Sequence, residues 1–172
     1  MSQVTESVIR DVVTEVLSQL RTKGTASAPT IVSSSGRHGV FDDAASAAAA
    51  ARTGFEQLSK KGWAGRAKVV EIVKQMCTDN AERWGKIEFE ETTIGRLDHK
   101  IAKLEGIKNV LGTEYLTPFG MSGDAGITMD DSAPWGVIGG ITPVTHSIPT
   151  IAGNIVNMVA AGHSAVFNPH PG

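Results

Sequence analysis

Pro134 to Gly172, PWGVIGGITPVTHSIPTIAGNIVNMVAAGHSAVFNPHPG, is the stretch whose reading decides the fold. Val137–Thr142 is a β-branched run broken by Gly139 and Gly140. It stops at Thr142-Pro143, where proline removes an amide donor, and so predicts a buried strand. Beyond it, Ile148, Ile151, Ile155 and Val159, with Ala152 and Val156, recur at three and four residues and predict a helix. Gly162 reads as its C-cap, and Ser164–Phe167 as a second strand ending at Asn168-Pro169-His170-Pro171. Strand, crossover helix, strand is the βαβ unit of a parallel sheet, and the fold class is α/β. Ligands of open α/β sheets sit at the carboxyl ends of the strands, which here means Pro143–His146 and Asn168–Pro171.

The totals bound the rest. A chain of 172 residues with 41% hydrophobic and 20% charged side chains has the composition of a globular protein able to bury a sizeable core. A net charge of −2 gives no footprint for nucleic acid or for an anionic membrane surface. The single cysteine, Cys77, excludes an internal disulfide and fits a reducing cytosol. No apolar run reaches the ~20 residues that a membrane span needs, and the N-terminus lacks the pattern of a secretory signal.

Upstream, Val4, Val8, Val12 and Val16, joined by Ile9, Val13, Leu17 and Leu20, predict an amphipathic helix over Val4–Leu20 whose charges are balanced. A helix of this length is marginal in water without a surface to lie on. The Ser-, Thr-, Ala- and Gly-rich residues 22–38 read as a flexible linker spanning roughly 20–25 Å. Asp42 and Asp43 N-cap an alanine run, Ala44–Ala51, and Lys60-Lys61-Gly62 mark the end of that helix. Gly65 to Trp84 continues as a helix with Val69, Val70, Ile72, Val73, Met76 and Cys77 as its buried stripe, and shorter helices are expected over Ile87–Thr93 and Leu97–Leu104. Together, residues 39–114 should cover one face of the sheet. In Tyr115–Asp131, the turn signal Ser122-Gly123-Asp124-Ala125-Gly126 separates two short extended runs and predicts a hairpin, which is weak alone and implies a partner.

The phrases GVIGGITPVTHSIPT and NPHPG resemble the first βαβ of the NAD-binding domain of the aldehyde dehydrogenase superfamily. More closely, they are similar to the CoA-acylating aldehyde dehydrogenases of bacterial microcompartments, and the similarity continues upstream to about Phe41, with EETTIGR, Glu90–Arg96, resembling a helical segment of that family. The resemblance implies the N-terminal part of the aldehyde dehydrogenase fold. Residues 1–21 would be an encapsulation helix docking on microcompartment shell or core proteins, 22–38 a linker and 39–114 the helical part of the NAD-binding domain. Residues 115–133 would be the oligomerisation hairpin of a homo-oligomer, and 134–172 the first, incomplete βαβ. The other reading of the first helix is that it folds back on its own protein or pairs with a copy of itself.

The implied reaction is aldehyde plus CoA plus NAD giving acyl-CoA plus NADH through a cysteine thioester. Thr145 stands where many relatives have an asparagine that helps hold the oxyanion, and its hydroxyl can donate one such hydrogen bond. The other reading is a threonine satisfying a turn amide. Ile141, Thr142, Pro143, Val144, Asn168, Pro169 and His170 are the implied cofactor-binding residues. Asn168 replaces a lysine that binds the adenosine ribose, which leaves NAD and NADP both open, and CoA would enter the same groove. His146, His163 and His170, at spacings of 17 and 7, share no helical face, and no metal site is expected. Cys77 lies mid-stripe beside Met76, where an apolar setting raises a thiol pKa, so it is read as a small buried hydrophobe and not as the nucleophile.

In the resembling enzymes the nucleophilic cysteine comes later than residue 172. The expectation is therefore an N-terminal portion without turnover of its own, placed with its parent inside a microcompartment in the cytoplasm. The alternative is a non-catalytic interaction module that works through Val4–Leu20. The retained Ile148, Ile151 and Ile155 favour the first, because a stand-alone module should have lost an exposed isoleucine face.

Overall fold

The computed structural model describes residues 37–170. The expected helix Val4–Leu20 and nearly all of the expected linker lie outside the described residues.

Helix α1 runs over Ala44–Asp79. Asp43 caps it as the sequence predicts: its Oδ1 accepts the Ser46 N–H at 2.8 Å and its Oδ2 the Ser46 hydroxyl at 2.6 Å. The stop expected at Lys60-Lys61-Gly62 is a kink. Gly62 has φ +60° and ψ −154°, a backbone that disfavours any side chain, and the helix resumes beyond it. The second segment ends at Asp79, short of the expected Trp84. The Met76 carbonyl there accepts both the Asn80 backbone N–H at 3.2 Å and the Asn80 side-chain Nδ2 at 2.9 Å, so Asn80 caps the helix end with main chain and side chain together. Helix α2 starts at once and runs over Ala81–Thr92, six residues earlier than expected. Glu90–Arg96 is not helical throughout: the helix ends at Thr92, and Thr93 (φ 53°) and Gly95 (φ 85°) turn the chain into helix α3, Leu97–Gly106.

Strands β1, Phe119–Gly123, and β2, Gly126–Asp130, form the expected antiparallel hairpin, with Asp124-Ala125 as its two-residue turn and Phe119 opposite Asp130. All ten strand residues are exposed, so the hairpin adds nothing to the core. Strand β3, Val137–Ile141, pairs in parallel with β4, Ser164–Asn168, from Val137 opposite Ser164 to Ile141 opposite Asn168. Helix α4, Ser147–Ala160, is the crossover, and Gly162 at φ +87° turns the chain into β4. The βαβ unit stands where the sequence puts it.

The core lies between α1 and α4. Ala152, Val156 and Ala160, four residues apart and small, form the buried stripe of α4 against Val70 and Cys77 of α1 and Ile107 beyond α3. Small side chains let the helix axes approach, and Val156 is fully buried. The isoleucine stripe of Ile148, Ile151 and Ile155 is only half-buried. With Val73, Met76, Cys77 and Trp84 it lines an apolar cavity of about 220 Å³. α1 also packs on β3 and β4, which bears out the expected helical cover of the sheet.

Gly85 of α2 meets α3 closely. A Cβ there would stand 2.9 Å from Ile101 Cγ1 and 3.1 Å from the Ile101 nitrogen, whereas Gly106 of α3 has nothing within 4 Å. Gly85→Ala should therefore lower unfolding stability by about 1–3 kcal/mol through overpacking. Gly106→Ala should leave it unchanged or raise it by up to about 1 kcal/mol. Urea unfolding of the two variants side by side checks this.

Candidate functional site at the carboxyl ends of the parallel strands

At the end of β3 the ladder takes one more bond, Thr142 N–H to the Asn168 carbonyl at 3.3 Å, and then Pro143 ends it. A short 3-10 turn, Val144–His146, leads into α4. Thr142 is 1% exposed, and its hydroxyl has no hydrogen-bond partner among the described residues. Ile141 is 83% exposed beside the exposed Asn168, Pro169 and His170. An apolar side chain next to a free-standing amide fits the ring and ribose hydroxyl of a nucleotide cofactor. The structure thus gathers the cofactor residues expected from the sequence, Ile141–Val144 and Asn168–His170, at one end of one strand pair.

Thr145 is exposed, and its hydroxyl lies 2.7 Å from Nδ1 of His146. Its carbonyl is held from below. Thr145 precedes His146, the N-cap of α4, so its carbonyl takes no part in the helix ladder. Lys100 of α3 supplies the donor instead, with Nζ 2.9 Å from the Thr145 oxygen. The next carbonyl, of His146, accepts the Thr150 hydroxyl at 2.8 Å.

Lys100 is buried, and its counter-charge is Glu88 of α2 at 3.7 Å, also buried. Neither Glu88 carboxylate oxygen has a hydrogen-bond partner among the described residues. The sequence reading missed both residues, although a signal existed. Lys100 falls on the apolar stripe of α3 between Leu97 and Leu104, and Glu88 follows Ala81 and Gly85 on the buried stripe of α2. A charge on an apolar stripe needs a partner, and two such stripes on adjoining helices name each other.

The remaining candidates stand apart. Cys77 is 2% exposed in the α1–α4 core, and burial raises its thiol pKa, as expected of a packing residue. Its surroundings in the structure give that shift one cause, loss of water. His163, just before β4, is buried, and its Nδ1 accepts the Trp135 N–H at 3.1 Å. Burial lowers its pKa, the Arg66 charge adds to this, and a backbone hydrogen bond with Gly136 opposes it. Arg66 packs on Gly162, where a Cβ would fall 2.7 Å from the guanidinium carbon. No helix among the described residues is long and apolar enough to cross a membrane.

With this arrangement, residues 28–172 match the aldehyde dehydrogenase family. The chain belongs to that family. An acetylating acetaldehyde dehydrogenase of Bilophila wadsworthia is 36% identical to this aldehyde dehydrogenase chain over 174 residues, 98% of the chain and 36% of the relative. Among solved structures, a propionaldehyde dehydrogenase from the fucose utilisation bacterial microcompartment of Clostridium phytofermentans superposes with a TM-score of 0.73 at 38% identity, over 77% of this chain and 31% of that one. The Rhodopseudomonas palustris propionaldehyde dehydrogenase with bound CoA and an acylated cysteine gives a TM-score of 0.73 at 37% identity over the same shares, 77% and 31%. An engineered glycolyl-CoA reductase with bound NADP+ gives 0.68 at 32% identity, over 84% and 32%. The chain thus spans 36% of the length of its curated relative, and the match lies on the N-terminal portion of these enzymes.

Because the folded pKa of His163 lies below the ordinary value of 6.5, the unfolded chain binds more protons between the two. The stability this neutral imidazole contributes is complete above pH ~6.5 and is lost as pH falls through the lower, folded value. Urea unfolding on either side of that pH should show the loss, and His163→Asn, whose amide oxygen can still accept the Trp135 N–H, should flatten it.

Proposed function

We propose that this chain is the N-terminal portion of a CoA-acylating aldehyde dehydrogenase that oxidises an aldehyde to its acyl-CoA with NAD inside a bacterial microcompartment. The observation that carries the reading is the exposed pair Ile141 and Asn168 at the carboxyl ends of a parallel strand pair, beside a polar turn at Thr145–His146. NAD, when bound, takes the hydride from an aldehyde held on a cysteine thiol of the parent enzyme, and CoA then releases the acyl group from the resulting thioester. Ile141 and Pro143 offer the cofactor apolar contact, Asn168 hydrogen-bonds a ribose hydroxyl, and Thr142, Val144, Pro169 and His170 shape the groove around it. Thr145 donates its hydroxyl to the oxyanion that forms as the thiol adds. For that it must turn from His146, a rotation that an exposed side chain makes freely.

Residues 1–21 act as the encapsulation helix on a linker over 22–38, and residues 115–133 as the pairing hairpin of a homo-oligomer. The exposure of Phe119, Met121, Ile127 and Met129 on the two faces of the hairpin supports the second role. Residues 39–114 and 134–172 together begin the NAD-binding domain.

Purified parent enzyme should reduce NAD only when both an aldehyde and CoA are present, with acyl-CoA as product. Asn168→Ala should raise KM for NAD by roughly tenfold, the equivalent of one lost hydrogen bond, with kcat little changed. An unchanged KM removes Asn168 from the cofactor site. Cys77→Ala should retain turnover, and its loss in a folded variant would make Cys77 the nucleophile. Deleting Met1–Leu20 should abolish co-localisation with a shell, and unchanged co-localisation would end the targeting claim.

A further inference from the structure

The buried pair Glu88–Lys100 has a use that packing alone does not explain. An ion pair that only holds two helices together brings ammonium and carboxylate into direct hydrogen bonding, near 2.8 Å. Here the closest acceptor to Lys100 Nζ is the Thr145 carbonyl at 2.9 Å, while Glu88 stays at 3.7 Å as a counter-charge without hydrogen bonds of its own. The lysine is spent on the turn after β3.

Three features of the chain build this contact. Gly85 lets α3 come close enough to α2 to place Glu88, one turn on from Gly85, near Lys100, which precedes Ile101. Thr145 lies one residue before the N-cap His146, so its carbonyl has no donor from the helix. The Thr150 hydroxyl occupies the following carbonyl, of His146. The peptide joining Thr145 to His146 is trans and planar. Its N–H therefore points opposite to the carbonyl that Lys100 holds, away from α3. Holding that plane fixes the His146 N–H and leaves only the rotations about Thr145 itself to set where its side chain leaves the turn.

We propose that Lys100, with Glu88 as its counter-charge, is a positioning residue for the reaction: it sets the Thr145–His146 peptide plane, and so aims the donors of this turn at the oxyanion. This rests on the functional reading above and adds to it the device that orients the turn. A charged donor makes a stronger hydrogen bond to a carbonyl than a neutral amide does, and small misplacements of a reacting group cost large factors in rate.

The test is made in the parent enzyme by steady-state acyl-CoA formation together with thermal unfolding. Wild-type enzyme is the first control: if it forms no acyl-CoA from aldehyde, NAD and CoA, the functional reading fails, whatever the variants do. Given an active wild type, Lys100→Met should lower kcat by about ten- to a hundredfold, with KM for NAD unchanged, and should also lower Tm. The double variant Glu88→Leu/Lys100→Met removes the unpaired buried charge and should restore Tm. It leaves the Thr145 carbonyl unheld, so kcat should stay low.

Recovery of kcat along with Tm in the double variant overturns the proposal and leaves the pair a structural one, as does wild-type kcat in Lys100→Met. Where the single variant does not fold, the double variant compared directly with wild type decides. Where neither folds, Glu88→Gln, which keeps shape and hydrogen-bonding capacity, carries the comparison: a lowered kcat at unchanged KM for NAD is expected, and unchanged kcat overturns the proposal.

Discussion

A parallel pair of strands cannot be closed by a tight turn, and everything at the working end of this chain depends on that constraint. The chain must leave β3, travel back along the sheet and enter β4 in the same direction, and α4 is the return path. The helix has to find a core as it goes. It does so through the small stripe Ala152, Val156 and Ala160 against α1, which brings the long helix over both strands. The two carboxyl ends then lie side by side in register, Ile141 next to Asn168, with the β3–α4 turn above them. The end of β3 and the end of β4 are far apart along the sequence. The crossover alone makes them neighbours.

The turn itself is under electrostatic control from beneath. Pro143 ends the ladder and α4 begins only at Ser147, so the Thr145 carbonyl between them belongs to neither the strand nor the helix. The fold meets it with a lysine carried in from 45 residues away. A buried ammonium requires a counter-charge, and α2 provides Glu88. Removing one partner of such a pair typically costs about 3–5 kcal/mol, because the other charge is left stranded. Two helices that contribute no groove residue are thus tied to the geometry of the groove.

The hairpin of β1 and β2 follows the opposite logic. Its turn and register are set locally by Asp124-Ala125 and Gly126 at φ +133°, and it buries none of its residues. Phe119, Met121, Ile127 and Met129 face water in the isolated chain, a cost that a two-stranded ribbon does not recover from its own hydrogen bonds.

Much of the architecture was legible in the amino acids because it is decided over short distances. The Asp43 cap, the break at Gly62, the hairpin turn and the order strand, helix, strand all arise from side chains acting on backbone within a few residues. Helix boundaries near Asn80 and Thr92 were not legible, since Trp84 and Cys77 share one apolar periodicity and the chain leaves the helix between them only at the backbone of Asn80 (φ −112°, ψ 9°). The strand ends that carry Ile141–Val144 and Asn168–His170 could be located because they are punctuated by proline. Patterns along the chain were enough for the family, the βαβ unit and the end at which its two strands finish. Only the tertiary structure decided that Lys100 and Glu88 serve that end, because the choice of partner for a buried charge is made by helix packing across the chain, and no spacing along the chain records it.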